Sequence, residues 1–156
     1  MSELNRLYDQ DYPTWARRNA ELLRARRFAE ADLEHLIEEL EELGKGEQRE
    51  LVSRLRILLA HLLKWQFQYR HLSERWQEIK GESWRASIIE QQLAIRILLK
   101  RQPGLKSFLH KALAEAYPQA VELAAAGSGL APTRFPAALP YDVAELMDQA
   151  FYPDPR

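Results

Sequence analysis

A chain of 156 residues, 46 % of them hydrophobic and with four tryptophans, has enough apolar bulk to fill one core, so neither disorder nor a disulfide scaffold is needed. It has no cysteine, so disulfides, thiolate metal sites and cysteine nucleophiles are excluded. The net charge of -1 hides a segregation, with acids concentrated in residues 30–47 and again in 112–156 and bases in 48–111. Adjacent blocks of opposite sign read as helices with complementary charged rims, and a near-neutral total argues against a nucleic-acid surface.

Residues 1–11 lack the apolar run of a signal peptide, and no uncharged stretch approaches the roughly 20 residues that span a bilayer, so a cytoplasmic location is expected. Asp11, Tyr12 and Pro13 start a first helix that should run to about Ala25, carrying Trp15, Leu22 and Leu23 on a thin apolar stripe. Its flank is rich in arginine (Arg17, Arg18, Arg24, Arg26, Arg27), and it resembles an arm laid on a body.

Asp32 is placed to cap a second helix whose Leu33, Leu36, Ile37, Leu40 and Leu43 form a regular apolar face before Gly44. The run Gly44-Lys45-Gly46 predicts a turn. Beyond it Leu51, Leu55, Leu58, Leu62, Trp65 and Tyr69 keep the helical period, with Ile57, Leu63 and Phe67 widening the stripe, so the third helix is expected to be largely buried.

Residues 70–82 read as a polar connection, with Ser83 capping a helix from Trp84 to Arg101 that Pro103 and Gly104 end. That helix has two apolar faces: Trp84, Ile88, Ile95, Leu98 and Leu99 make one, and Ala86, Ile89, Leu93 and Ile97 the other. It therefore needs partners on two sides, inside a bundle or across a subunit contact with Ile89, Leu93 and Ile97 as the candidate interface. The pattern from Leu105 to Ala124 predicts another helix, kinked or broken near Glu115 by Pro118. From Gly127 an extended segment is pinned by Leu130, Phe135, Leu139 and Tyr141, and a short helix starts at Asp142. Together these elements predict an all-α single domain over 1–156. It is a bundle of about five to six helices with an N-terminal helical arm (1–27), a helical core (28–126) and an extended tail (127–156) ending in a short helix.

Sites for familiar chemistry are sparse. A carboxylate-bridged metal centre needs Glu-x-x-His on two helices, but Leu58, Gln68 and Ser107 stand three before His61, His71 and His110, and only His35 has acids three away (Asp32 and Glu38). Phosphate loops, His-Glu-x-x-His and a nucleophile elbow are absent from the pattern. No metal, cofactor or catalytic residue is therefore assigned. One edge of the third helix is polar, with Arg54, His61, Lys64 and Gln68 in line and Trp65 a turn on. That edge is one wall of a candidate pocket, and the simpler reading is a half-buried His61 satisfied by a carbonyl or by a glutamate of the acidic helix. Glu34, Glu38, Glu41 and Glu42 read as a solvated face, whereas Glu39 lies nearer the leucines and is expected to meet Arg54 or Lys64 across the turn. Trp65 and Trp84 read as core anchors.

Taken in order, several groups of residues resemble a bacterial family named domain of unknown function twenty-nine. They are Tyr8, Asp11-Tyr12 and Trp15; Asp32 with Leu36 to Gly44; Arg54 to Trp65, including His61-Leu62-Leu63-Lys64-Trp65, with Gln68; Ser83-Trp84, Ile88 and Gln91; and Pro103, Tyr117, Phe135-Pro136 and Pro140-Tyr141. The resemblance implies an all-helical fold and no known activity, and it marks Glu38, Glu39, Arg54, His61, Lys64, Trp65, Trp84 and Gln91 as a candidate polar centre. Leu93, Leu139 and Pro118 depart from the family pattern. The expected function is that of a small helical protein acting through protein contacts, as a homodimer or with another partner. The alternative is an enzyme or small-ligand binder with a pocket near His61 and Trp84. Nucleic-acid binding through the N-terminal arginines ranks third.

Overall fold

The computed structural model describes residues 2–156, and among them every regular element is helical, so the fold is all-α as the periodicity predicts. Six α-helices follow in order: α1 (Glu3–Gln10), α2 (Tyr12–Arg24), α3 (Leu33–Phe67), α4 (Glu74–Arg101), α5 (Leu109–Ser128) and α6 (Val143–Met147). Short 3-10 helices at Phe28–Glu30, Tyr69–His71, Pro103–Phe108 and Pro132–Arg134 join them. The chain divides into two compact units, Met1–Gly46 and Glu47–Arg156.

In the first unit, α1 packs on α2. The periodicity gives no sign of α1, because Leu4 and Leu7 alone make no visible stripe. Its start is nonetheless capped, with the Ser2 side chain accepting from the Asn5 amide. α2 begins where expected, with Asp11 accepting from the Thr14 amide and proline in the first turn. It closes with Arg26 in the left-handed region at φ 59°, and the Arg26 and Arg27 amides return to the carbonyls of Leu23 and Leu22.

The predicted turn at Gly44-Lys45-Gly46 does not form, and α3 runs unbroken for 35 residues. Two glycines cost a helix about 1 kcal/mol each relative to alanine, a penalty small beside the packing of the buried leucines from Leu51 onward on the same helix. A second correction follows on the apolar face assigned to the acidic segment: Leu33, Ile37, Leu40 and Leu43 are solvent-exposed.

In the second unit, Leu51, Leu55, Leu58, Leu62 and Leu63 of α3 are buried against Ile88, Ile95 and Leu98 of α4 and Ala116, Tyr117 and Ala120 of α5. α4 starts ten residues earlier than expected, at Glu74 rather than Trp84, with Ser73 rather than Ser83 at its N-cap, so Gly81 lies inside the helix. The glycine is there for contact: a Cβ on it would stand 2.9 Å from Tyr69 Cε2 and 3.6 Å from Trp65 Cζ3. α5 likewise passes through Pro118 without the break expected near Glu115. Its buried face of Ala112, Leu113, Ala116, Ala120 and Ala124 lies against the core on both sides of the proline, and Gly129 in the left-handed region at φ 75° ends it.

The tail from residue 130 is held by polar clamps as well as by its buried Phe135, Tyr141 and Leu146. The Tyr117 hydroxyl donates to the Pro136 carbonyl at 2.5 Å and that of Tyr141 to Gln66 Oε1 at 2.7 Å. Gln92, 1 % exposed, donates to the carbonyls of Leu146 at 2.9 Å and Asp148 at 3.2 Å. α6 opens with a capping box between Asp142 and Glu145.

Candidate functional site

Two polar clusters and two exposed apolar stripes stand out, each inside one unit. The first cluster gathers on Asp32, the residue before α3, which is 3 % exposed. Its carboxylate accepts from Trp15 Nε1 at 2.9 Å, from the His35 amide at 3.5 Å, and pairs with His35 Nδ1 at 2.6 Å. Asn19, fully buried, receives the Asp32 amide on Oδ1 at 2.8 Å and gives its Nδ2 to the Trp15 carbonyl at 2.8 Å.

The ring of Tyr8 stacks on His35 with centroids 4.0 Å apart, and the hydroxyls of Tyr8 and Tyr12 both donate to Glu39, that of Tyr12 at 2.6 Å. The expectation that Glu39 meets Arg54 or Lys64 across a turn is thus overturned, because no turn exists and two tyrosines hold the carboxylate. Those hydrogen bonds push the Glu39 carboxyl below its usual value and Tyr8 up to about 12. Asp32 is drawn up by burial but down further by its bonds from His35 and Trp15, and it ends below the usual value; the Asp32 carboxylate in turn raises His35. Glu38 is exposed.

Chemically this cluster is a helix cap extended into a network: the Trp15 indole, the Asp32 amide and the His35 amide each meet an acceptor, and the rings of Tyr8, Tyr12 and Trp15 pack around them. Asp32 is visible in the sequence as a cap. Tyr8, Asn19 and His35 as its partners are not, since nothing local in the sequence says which elements fold back onto it.

The second cluster lies along the polar edge of α3 in the second unit. Arg54 donates to Gln91 Oε1 at 3.4 Å, bringing together two residues of the candidate polar centre, and Gln91 is buried. Trp65, half-buried, stacks on Tyr69 at 4.5 Å, touches Tyr152 at 5.0 Å and lies under the Arg85 guanidinium at 5.4 Å. Trp84 is buried, 6.5 Å from the Tyr69 ring. Lys64 lies across Gly127, where a Cβ would meet its Nζ at 2.6 Å, so the ammonium sits at the carbonyl end of α5. Burial and the neighbouring Lys80 charge hold its pKa down.

At His61 the Nδ1 atom is buried without a hydrogen-bond partner, as is Gln68 Oε1. Burial, with Lys64 adding to it, lowers His61 to about 4, so the ring is neutral at pH 7. The centre is therefore partly assembled: Arg54 meets Gln91, the two tryptophans share Tyr69, and His61 Nδ1 stands unpaired.

Among the described residues no three His, Asp or Glu side chains converge as metal ligands, and no helix is long and apolar enough to cross a membrane. Three of the five N-terminal arginines face acids, Arg17 with Glu21, Arg18 with Glu3 and Arg27 with Glu30. On α4 the face of Trp84, Ile88, Ile95 and Leu98 is buried, while Ile89, Leu93 and Ile97, at i, i+4 and i+8, are exposed.

No curated protein and no solved structure matches the chain. The sequence model of one family, described as Domain of unknown function DUF29, matches residues 7–152, nearly the whole length, and the chain belongs to that family.

Proposed function

We propose that this protein works through protein contacts and that its first partner is a second copy of itself. The observation that carries the reading is the outer face of α4, where Ile89, Leu93 and Ile97 form one i±4 ridge of branched apolar side chains in water. Isolated exposed apolar residues are ordinary, but three in one ridge on a helix whose opposite face is already packed make a contact surface. Light scattering across a dilution series tests it. Twice the chain mass at tens of micromolar, reverting to one chain mass in Leu93→Glu, is the expected result. A single chain mass at every concentration removes the reading.

A second reading, a small-ligand site on the His61 edge, is supported by the buried and unpaired His61 Nδ1 and Gln68 Oε1, since native proteins pair most buried polar atoms. Native mass spectrometry of the purified chain tests it. A retained small molecule that is lost in Gln68→Leu supports a ligand there, and the bare chain mass counts against it.

A further inference from the structure

Two exposed apolar stripes carry rims of opposite charge. On α3, Leu33, Ile37 and Leu40 recur at i, i+4 and i+7 and are 44 %, 54 % and 66 % exposed. At about 100° per residue, Glu34, Glu38 and Glu41 follow along one side of that stripe, all exposed. On α4, Ile89, Leu93 and Ile97 are 38 %, 45 % and 64 % exposed; the exposed Arg85 and Arg96 run along one rim, the exposed Lys100 continues the stripe beyond Ile97, and Glu90 lies on the other rim.

Resting on the reading that the chain self-associates, we propose that the Leu33 stripe of one copy docks on the Ile89 stripe of a second copy, and reciprocally, so that glutamates face arginines and lysine at two equivalent contacts. Pairing the Leu33 stripe with its own copy sets acids against acids. The rival arrangement, α4 against α4 about Leu93, has some merit, because it places Ile89 opposite Ile97. Yet it leaves the more exposed stripe uncovered, and three residues a side fall well short of the roughly 1,200 Å² of a stable interface. A reciprocal pair of contacts would cover both stripes, and identical contacts exchanged between two copies leave no open end.

A charge exchange tests the pairing. Glu34→Lys with Glu38→Lys and Glu41→Lys makes one chain basic on both stripes, and Arg96→Glu with Lys100→Glu makes another acidic on both. Each alone is expected at one chain mass, with dissociation at least tenfold easier than in the unaltered protein, and an equimolar mixture is expected to recover the dimer. Because Arg96 also donates to the Met147 carbonyl, Lys100→Glu alone serves as the acidic chain if circular dichroism shows the double change unfolded. A triple-lysine chain that remains dimeric overturns the pairing in favour of α4 on α4 while leaving self-association standing. Two folded variants that stay apart on mixing also overturn it. A monomeric unaltered protein removes self-association itself.

Discussion

Asp32 shows how much one side chain can hold. A carboxylate at this position caps α3 for the usual reason, the free amides of a first helical turn, but here it also receives the Trp15 indole and the His35 ring. Asp32→Ala would remove the cap and leave a buried indole N–H unpaired, a loss of about 2–4 kcal/mol read by denaturant unfolding of the first unit. His61 is the opposite case, a half-buried ring whose buried Nδ1 has no hydrogen-bond partner. Its folded pKa, about 4, lies below the unfolded value, so the neutral ring favours the folded state above the unfolded pKa, and this contribution is lost as pH falls toward 4. His61→Leu is therefore expected to keep or raise stability at pH 7 and to flatten its decline between pH 6.5 and 4, measured by thermal unfolding. A marked loss at pH 7 would mean that the ring has a hydrogen-bond role in the fold.

Glycine at the level of the element means different things along this chain, and the sequence alone treats the cases alike. Gly44 and Gly46 sit in α3, where a Cβ added at either would meet nothing within 4 Å, whereas Gly81 of α4 lies against the stacked rings of Tyr69 and Trp65. Gly44→Ala should stabilise by roughly 0.5–1 kcal/mol, because the site is helical and open. Gly81→Ala should destabilise despite the same gain in propensity, since the added methyl pushes on the Tyr69 ring stacked on Trp65 and overpacking costs about 1–3 kcal/mol. Denaturant midpoints of the two variants check both signs. Helix existence and period are legible from residues 12–24, 33–67 and 109–128, because an apolar stripe is a local signal. The joins at Gly44, Gly81 and Pro118 are not, since tolerance of a poor helix former depends on what packs around it.

At the scale of the molecule the two units differ in how they are filled. The second has a continuous apolar core drawn from α3, α4, α5 and the tail. The first buries only Trp15, Asn19 and Asp32 among its described residues while exposing Leu23, Phe28, Leu33, Ile37, Leu40 and Leu43. So little burial in a unit of that size gives a marginal fold, and additional contacts that cover its apolar surface would add directly to its stability. If a second copy supplies them, the thermal midpoint rises with protein concentration and hydrogen exchange in residues 33–43 slows in parallel. A midpoint independent of concentration would show that association contributes nothing to this unit.

Helical class, the start of α2, the cap of α3 and the leucine face that becomes the second unit's core were all determined by the chain's local pattern, because period and capping chemistry act over a few residues. Tertiary structure alone decided that Glu39 belongs to two tyrosines, that His35 closes on Asp32, and that Leu33, Ile37, Leu40 and Leu43 face water while an equally regular stripe from Leu51 to Leu62 does not. An apolar period states that a face seeks cover, and only the folded arrangement supplies or withholds the covering atoms.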